Sequence, residues 1–399
     1  MTEREFTPAH RAAEPDNRRV LISGAGIAGT VAAYLLARAG LRVTVVERAP
    51  AVRAGGNAVD LRGAAVNVMT AMDVLDPIRA RQTGNGAMHR IDRDGNTIAM
   101  LPADAMAGDI ELPRGDLNAI LLAATGTGVD YLFGDSITAL DDTPDAVDVT
   151  FDSGAHRTFD LVIGADGLHS RTRALAFGPE SAYVHHLGCY QAHFTIPNTL
   201  GLTHTGLLMN LPGRTFGCYT IHENREVVLG WFFRSAALTY DRHDTAAQQL
   251  LVADAFADVD WRIPELLDAM RDSEDFYFDP ISQVVMPEIR GGRVALVGDA
   301  AFAPSLISGV GATLAIVGAA ALADEIISAP ADIESALTRY QKRVAEMATL
   351  GRELAVRSKD WFIFPKDATA HRITQSAEDR VHALREEVVA AANQACPHL

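Results

Sequence analysis

The chain has little cysteine and little positive charge, and no segment of it is built for nucleic acid. Three cysteines, Cys189, Cys218 and Cys396, stand far apart, form no CxxC pair and leave an odd thiol. That spacing excludes a disulfide framework or a zinc ribbon and points to a reducing cytoplasm. Lys and Arg number 35 against 51 Asp and Glu, a formal net charge of −16. Without a dense basic run, such a field repels polyphosphate and anionic lipid, so no nucleic-acid or membrane partner is expected. The opening MTEREFTPAHRAAEPDNRR mixes charges and lacks the apolar core of a signal peptide, so residues 1–18 read as a disordered tail. GxSxG, HExxH and a P-loop are absent as well.

What is present is 399 residues, 48% of them hydrophobic, enough for two or three domains of a soluble globular protein. From Arg19 the chain reads as strand, glycine cluster, Ala/Leu-rich helix, glycine stop and second strand. Short alternating segments separated by Pro, Gly and Asn between Ser181 and Gly230 suit antiparallel strands. Ala300 to Ala323 carries no charge over 24 residues. Pro304, Ser305, Ser308, Gly309 and Gly311 argue against a membrane span there, and a helix apolar on every face suits a protein interior. Two charged amphipathic segments after Pro330 predict helices packed on the outside.

Gly24-Ala-Gly26-Ile-Ala28-Gly29 follows the first strand and opens the first helix, fitting G-x-G-x-x-G. Gly24 permits the tight turn, Gly26 lets backbone approach a pyrophosphate, and Gly29 allows close packing of helix on strand. Glu47, beside Arg48, ends the second strand, where a carboxylate can accept from ribose hydroxyls. The pattern implies an adenine dinucleotide, NAD or FAD rather than NADP. Only one such fingerprint is present.

Two later segments, Asp160-Leu-Val-Ile-Gly164-Ala-Asp166-Gly167 and Gly298-Asp299, stand in order behind this loop. With them the chain resembles the class A FAD-dependent monooxygenases, the para-hydroxybenzoate hydroxylase-like group, and within it the tetracycline-inactivating branch. The resemblance covers about Arg19 to Arg343. It implies an α/β fold: a Rossmann-like FAD-binding domain with an inserted, mostly antiparallel β-sheet substrate domain and C-terminal helices. The expected boundaries are 19–180 plus 279–330 for the discontinuous FAD-binding domain, with 60–112 partly on the substrate side. Residues 181–278 form the substrate domain and 331–399 the C-terminal helical region.

The resemblance also implies roles. Asp299 would bind the ribitol of FAD, Gly309 and Gly311 would let backbone approach the flavin, and the helix starting near Ala312 would aim its positive end at it. Arg114 of R-x-x-L and Asp60 would contact FAD, Arg53 the nicotinamide cofactor, and Asp166-Gly167 one or both. NAD(P)H would act as transient reductant and O2 as co-substrate, the oxygen passing through a flavin C4a-hydroperoxide to an aromatic or polyketide-like substrate, tetracycline-like compounds included. No side chain is required as catalytic nucleophile, and no metal is expected. Phe302, Ser305, Leu306 and Thr313 depart from the family pattern, which has His, a proline pair and Asn there.

For the substrate face the candidates are Gln191, His193, Met209, Tyr219 and Phe233. Alternation places Gln191 and His193 on one side of their strand. His185-His186 with Cys189 reads as a surface turn rather than a metal site. The alternatives are an FAD-dependent dehydrogenase, reductase or halogenase relative, and a flavin-fold protein that binds a small molecule without turnover. A monomer or homodimer is expected.

Overall fold

The structure, a computed structural model, describes residues 17–52, 55–103, 107–367 and 375–397. Nearly all of the expected tail lies outside them. In chain order the strands are β1 (Arg19–Ser23), β2 (Arg42–Glu47), β3 (Ala58–Leu61), β4 (Met88–Ile91), β5 (Thr97–Leu101), β6 (Ile110–Pro113), β7 (Val129–Phe133), β8 (Ile137–Asp142) and β9 (Val147–Phe151). There follow β10 (His156–Phe159), β11 (Leu161–Gly164), β12 (Val184–Pro197), β13 (Gly206–Leu211), β14 (Arg214–Ile221), β15 (Glu226–Arg234), β16 (Tyr277–Val284), β17 (Arg290–Gly291) and β18 (Val294–Leu296).

One sheet has the order β17-β18-β11-β1-β2-β7, parallel except at β17. Its central strand is apolar on both faces, as a covered parallel strand must be. Val20 and Ile22 pack with the helix Ile27–Arg38 and its neighbours, while Leu21 packs with Val147, Val149 and Phe151 of the antiparallel β10-β9-β8 sheet. The charge-free stretch becomes the helix Gly311–Ser328, buried between Ile27–Arg38 and the long helix Ile333–Phe362. Among the described residues it is the one helix long and apolar enough to cross a membrane, and two-thirds of it is buried inside the protein.

The second sheet has the order β16-β12-β15-β14-β13-β4-β5. The antiparallel strands expected from 181 onward are there, joined by β4 and β5 from the 60–112 segment. The boundary expected at 279 falls inside β16, which stays paired with β12 through Val284. Helices Thr245–Phe256 and Ile263–Met270 cover one face of this sheet, burying Phe194, Phe216, Trp231 and Phe256 together. Trp231 meets Phe256 edge-on at 5.0 Å. Against the other face docks the end of the long helix, where the Phe362 carbonyl accepts from Thr215 Oγ1 at 2.6 Å and Asn210 Nδ2 at 2.9 Å. The C-terminal region therefore joins the two sheets rather than lying only on the outside. His185 and His186 begin β12 instead of forming a surface turn, and His186 Nε2 engages the Cys189 carbonyl at 3.0 Å.

Candidate functional site

The glycine loop shows what each of its glycines is for. Gly24 has φ 106°, and a Cβ on it would lie 2.5 Å from the Ala165 carbonyl oxygen. On Gly29 a Cβ would lie 2.0 Å from the Gly24 carbonyl oxygen. Protein therefore excludes side chains at both positions. Gly26 differs: its φ is −80°, and a Cβ there would meet nothing within 4 Å. The loop is open to an approaching ligand at Gly26 alone of the three. Glu47 accepts from Ala25 N at 3.0 Å and Ala49 N at 2.8 Å, which holds its carboxylate beside the loop, while Arg48 is exposed. Ala28 is buried and lies against Gly298, where a Cβ would approach it to 2.9 Å. The first and last motifs, some 270 residues apart in sequence, thus touch.

Asp299 follows Gly298 at the start of the short helix Asp299–Phe302. Its side chain is open to solvent yet surrounded by protein, and that burial raises its carboxyl pKa while Arg114 opposes the rise. Asp299 is thus an exposed carboxylate within the electrostatic reach of Arg114. Arg114, exposed at the start of the helix Arg114–Thr125, hydrogen-bonds through its backbone N to Asn57 O at 3.1 Å. Gly311 leaves open space where a Cβ would stand, and Ala312 follows half-buried in the first turn of the core helix. Unpaired N–H groups in that first turn make this end electropositive. A Cβ on Gly309 would come within 3.9 Å of Asp60 Oδ2. Asp60 accepts from Gly108 N at 2.7 Å and pairs with Arg62 at 3.6 Å, and burial lifts its carboxyl to about 6.

Three of the four departures from the family pattern have a local explanation. Thr313 Oγ1 donates to the Asp60 carbonyl at 3.1 Å and accepts from Arg62 N at 3.1 Å, tying β3 to the core helix. Phe302 is buried against Gly318, where a Cβ would lie 2.7 Å from its ring. Ser305 has φ 96°, and its carbonyl accepts from Ser308 N and Oγ, so the loop is closed by serines rather than stiffened by prolines. Leu306 is left 40% exposed.

Asp166 organises its own turn. Its carboxylate accepts from Ser170 Oγ, Thr172 N at 2.8 Å, Thr172 Oγ1 at 2.9 Å and Ser23 Oγ at 3.4 Å. The open side of that turn is Gly167, whose Cβ position is free. Arg53 lies outside the described residues.

Of the expected substrate-face residues, three share the side of the second sheet opposite the covering helices. His193 Nε2 lies 2.9 Å from Gln191 Oε1 and 2.9 Å from Asn57 Nδ2. Burial pushes its imidazole down to about 3, so the ring is neutral. Tyr219 Oη accepts from Ala58 N at 2.6 Å. Met209 and Phe233 do not belong with them. Both point to the opposite face, Met209 into the cluster with Trp231 and Phe256, and Phe233 onto Tyr190 and Phe278. Alternation separates them, since Gln191 stands opposite Phe232 rather than Phe233. Asn57, Tyr277 and Asp279 also reach the side of His193 and were not singled out from the sequence. The Tyr-x-Asp spacing on β16 is the signal that could have found Tyr277 and Asp279.

A family model described as an FAD binding domain matches residues 17–350. The chain is 42% identical over 329 residues to the uncharacterized protein Rv1260 of Mycobacterium tuberculosis, across 81% of this chain and 88% of that one. It is 33% identical over 372 residues to a flavin-dependent monooxygenase of Legionella longbeachae, across 92% of this chain and 95% of that one. Among solved structures, tetracycline destructase Tet(51) superposes with a TM-score of 0.84 at 32% identity, across 94% of this chain and 97% of that one.

Proposed function

The chain belongs to the FAD binding domain family and is an FAD-dependent monooxygenase, and from that premise we propose that it consumes NAD(P)H to hydroxylate a small aromatic or polyketide-like substrate between its two large sheets. FAD, when bound, supplies the electron transfer and the activation of dioxygen, and the protein supplies binding, orientation and charge. Gly26 admits the pyrophosphate to the N-terminus of the helix Ile27–Arg38. Glu47 accepts from the adenosine ribose, and Asp299 from the ribitol hydroxyls. The electropositive N-terminus of the helix Gly311–Ser328 would stabilise negative charge on the flavin. Arg114 adds a cation within electrostatic reach of Asp299.

One observation supports the assignment of these roles: Gly26 and Gly311 leave open space where a Cβ would stand and Asp299 is exposed, whereas Gly24, Gly29 and Gly298 are closed by protein. The fit of FAD to this cradle rests on those openings and on an accessible carboxylate. For the substrate, the face of neutral His193, Gln191 and Tyr219 favours a planar, oxygen-bearing compound over a highly charged one. A tetracycline-like substrate is the specific form of this reading, supported by the likeness to Tet(51).

The test is a panel of phenolic and polycyclic compounds, tetracycline among them, added to the FAD-loaded protein with NADH or NADPH. Stimulated NAD(P)H oxidation, matching oxygen uptake and a product heavier by one oxygen are expected. Oxidised product without added oxygen would return the chain to the dehydrogenase reading.

A further inference from the structure

Strand β16 carries Tyr277 and Asp279 two residues apart, facing His193 and Gln191 of β12 in register. Both side chains therefore stand on the same side of the sheet as His193 and Gln191. The Tyr277 ring stacks on His193 with centroids 6.4 Å apart and planes 13° apart. It is 42% exposed although enclosed by protein, and its hydroxyl lies within the electrostatic reach of Arg114 and Asp299. Tyr277 thus stands near both His193 of the substrate face and Arg114 and Asp299, the residues assigned to FAD.

The hydroxyl of Tyr277 donates to Asp279 Oδ2 at 2.7 Å. Asp279 is buried and also receives His169 Nε2 at 3.2 Å, while His169 Nδ1 lies 3.0 Å from Glu180. Hydrogen bonds to Asp279 and then Glu180 push His169 up to about 9, so at neutral pH both ring nitrogens donate. Glu180 is further faced by Arg173 and Arg242, each at 3.7 Å. Asp279 therefore accepts from Tyr277 on one side and from His169 on the other. A phenol has one proton, and burial holds that of Tyr277 in place. With the proton committed to Asp279, the phenol oxygen presents only lone pairs to a ligand.

We propose that Tyr277 is a specificity-determining acceptor for a hydroxyl of a bound ligand, and that Asp279 and His169 are positioning residues that fix this polarity. The hydroxyl is one on the ribityl chain of FAD or a phenolic or enolic one on the substrate. Only the second source rests on the function proposed above.

Tyr277→Phe keeps the ring on His193 and removes the acceptor. FAD is titrated into the apoprotein by flavin fluorescence, and 2-naphthol and its methyl ether are titrated into the FAD-loaded protein by the visible flavin spectrum. If the partner is the ribityl chain, the variant weakens FAD by about 10- to 100-fold. If it is a substrate hydroxyl, FAD affinity holds, while the preference of the wild type for 2-naphthol over its ether collapses by a similar factor. Asp279→Asn, whose amide can donate to Tyr277 and turn its proton outward, should then shift preference toward the ether. A Tyr277→Phe apoprotein that binds FAD within twofold of wild type, together with either no discrimination between the two probes in the wild type or unchanged discrimination in the variant, overturns the proposal. Failure of every compound in the panel to stimulate NAD(P)H oxidation overturns the substrate assignment alone, because the FAD titration is independent of it.

Discussion

Replacing Gly26 by alanine should weaken the cofactor without harming the fold, and the same change at Gly29 should harm the fold. At Gly29 the new methyl would stand 2.0 Å from the Gly24 carbonyl oxygen, a contact between two pieces of backbone that neither can relieve by turning a side chain. Such overpacking costs about 1–3 kcal/mol or more. At Gly26 the φ of −80° suits alanine and no atom lies within 4 Å. There the smaller entropy of the unfolded chain should stabilise the apoprotein by about 0.4–1 kcal/mol. With unfolding entropy of roughly 2.1 cal/mol/K per residue, a chain of this size moves about 1 °C in Tm per kcal/mol. The apoprotein melting curve should therefore rise by about 1 °C or less for Gly26→Ala and fall by about 1–4 °C or more for Gly29→Ala. FAD binding should respond in a different order. A methyl at Gly26 occupies the approach of the pyrophosphate and costs at least one charge-assisted hydrogen bond, about 1.5–3 kcal/mol, or roughly 10- to 150-fold in Kd. Differential scanning fluorimetry of the apoproteins and fluorescence titration with FAD measure the two effects separately. A Gly26→Ala apoprotein as destabilised as Gly29→Ala, or one that binds FAD like wild type, would refute the reasoning that Gly26 faces ligand rather than protein.

Asp299→Asn should lower FAD affinity by about 10- to 150-fold through loss of a charged acceptor, read by the same titration. Met209→Ala should destabilise the protein by about 2–5 kcal/mol in chemical denaturation while leaving FAD and probe binding unchanged, since Met209 is buried under the covering helices. Gln191→Ala should do the reverse, and a ligand-binding defect in the methionine variant would show that the sheet faces are assigned wrongly. Because His169 is raised from 6.5 to about 9 by Asp279 and Glu180, its contribution to stability is complete below about pH 6.5 and is lost as pH rises through about 9. Its partial exposure limits the effect to about 1–2 kcal/mol. His169→Gln should flatten stability over pH 6.5–9.5, and an unchanged slope in that variant would place the titrating group elsewhere.

Much of the cofactor cradle was legible because its determinants are local. A turn, a close helix–strand contact and a carboxylate at a strand end are each set by residues within a few positions, so Gly24, Gly29 and Glu47 could be read one after another. Asp166 was harder. Its motif marks a ligand-binding segment, but Ser170 and Thr172 saturate its carboxylate, and the competition between turn and ligand is visible only once those hydroxyls have positions. The departures at Phe302 and Thr313 likewise look like lost contacts in sequence. In space Phe302 packs against Gly318, and Thr313 bonds β3 across 253 residues of chain.

The sequence by itself determined the order of the motifs, the dinucleotide fingerprint and the alternation along each strand, because these depend on neighbours in the chain. Alternation says that Gln191 and His193 share a face, as Trp231 and Phe233 do, but it carries no label for which face meets the cofactor. The tertiary structure decided that. Helices Thr245–Phe256 and Ile263–Met270 bury one side of the sheet with Trp231, Met209 and Phe233, so Gln191, His193, Tyr219 and Tyr277 stand on the side these helices leave uncovered. Which face a helix covers is fixed by packing between segments far apart in the chain, and no local pattern records it.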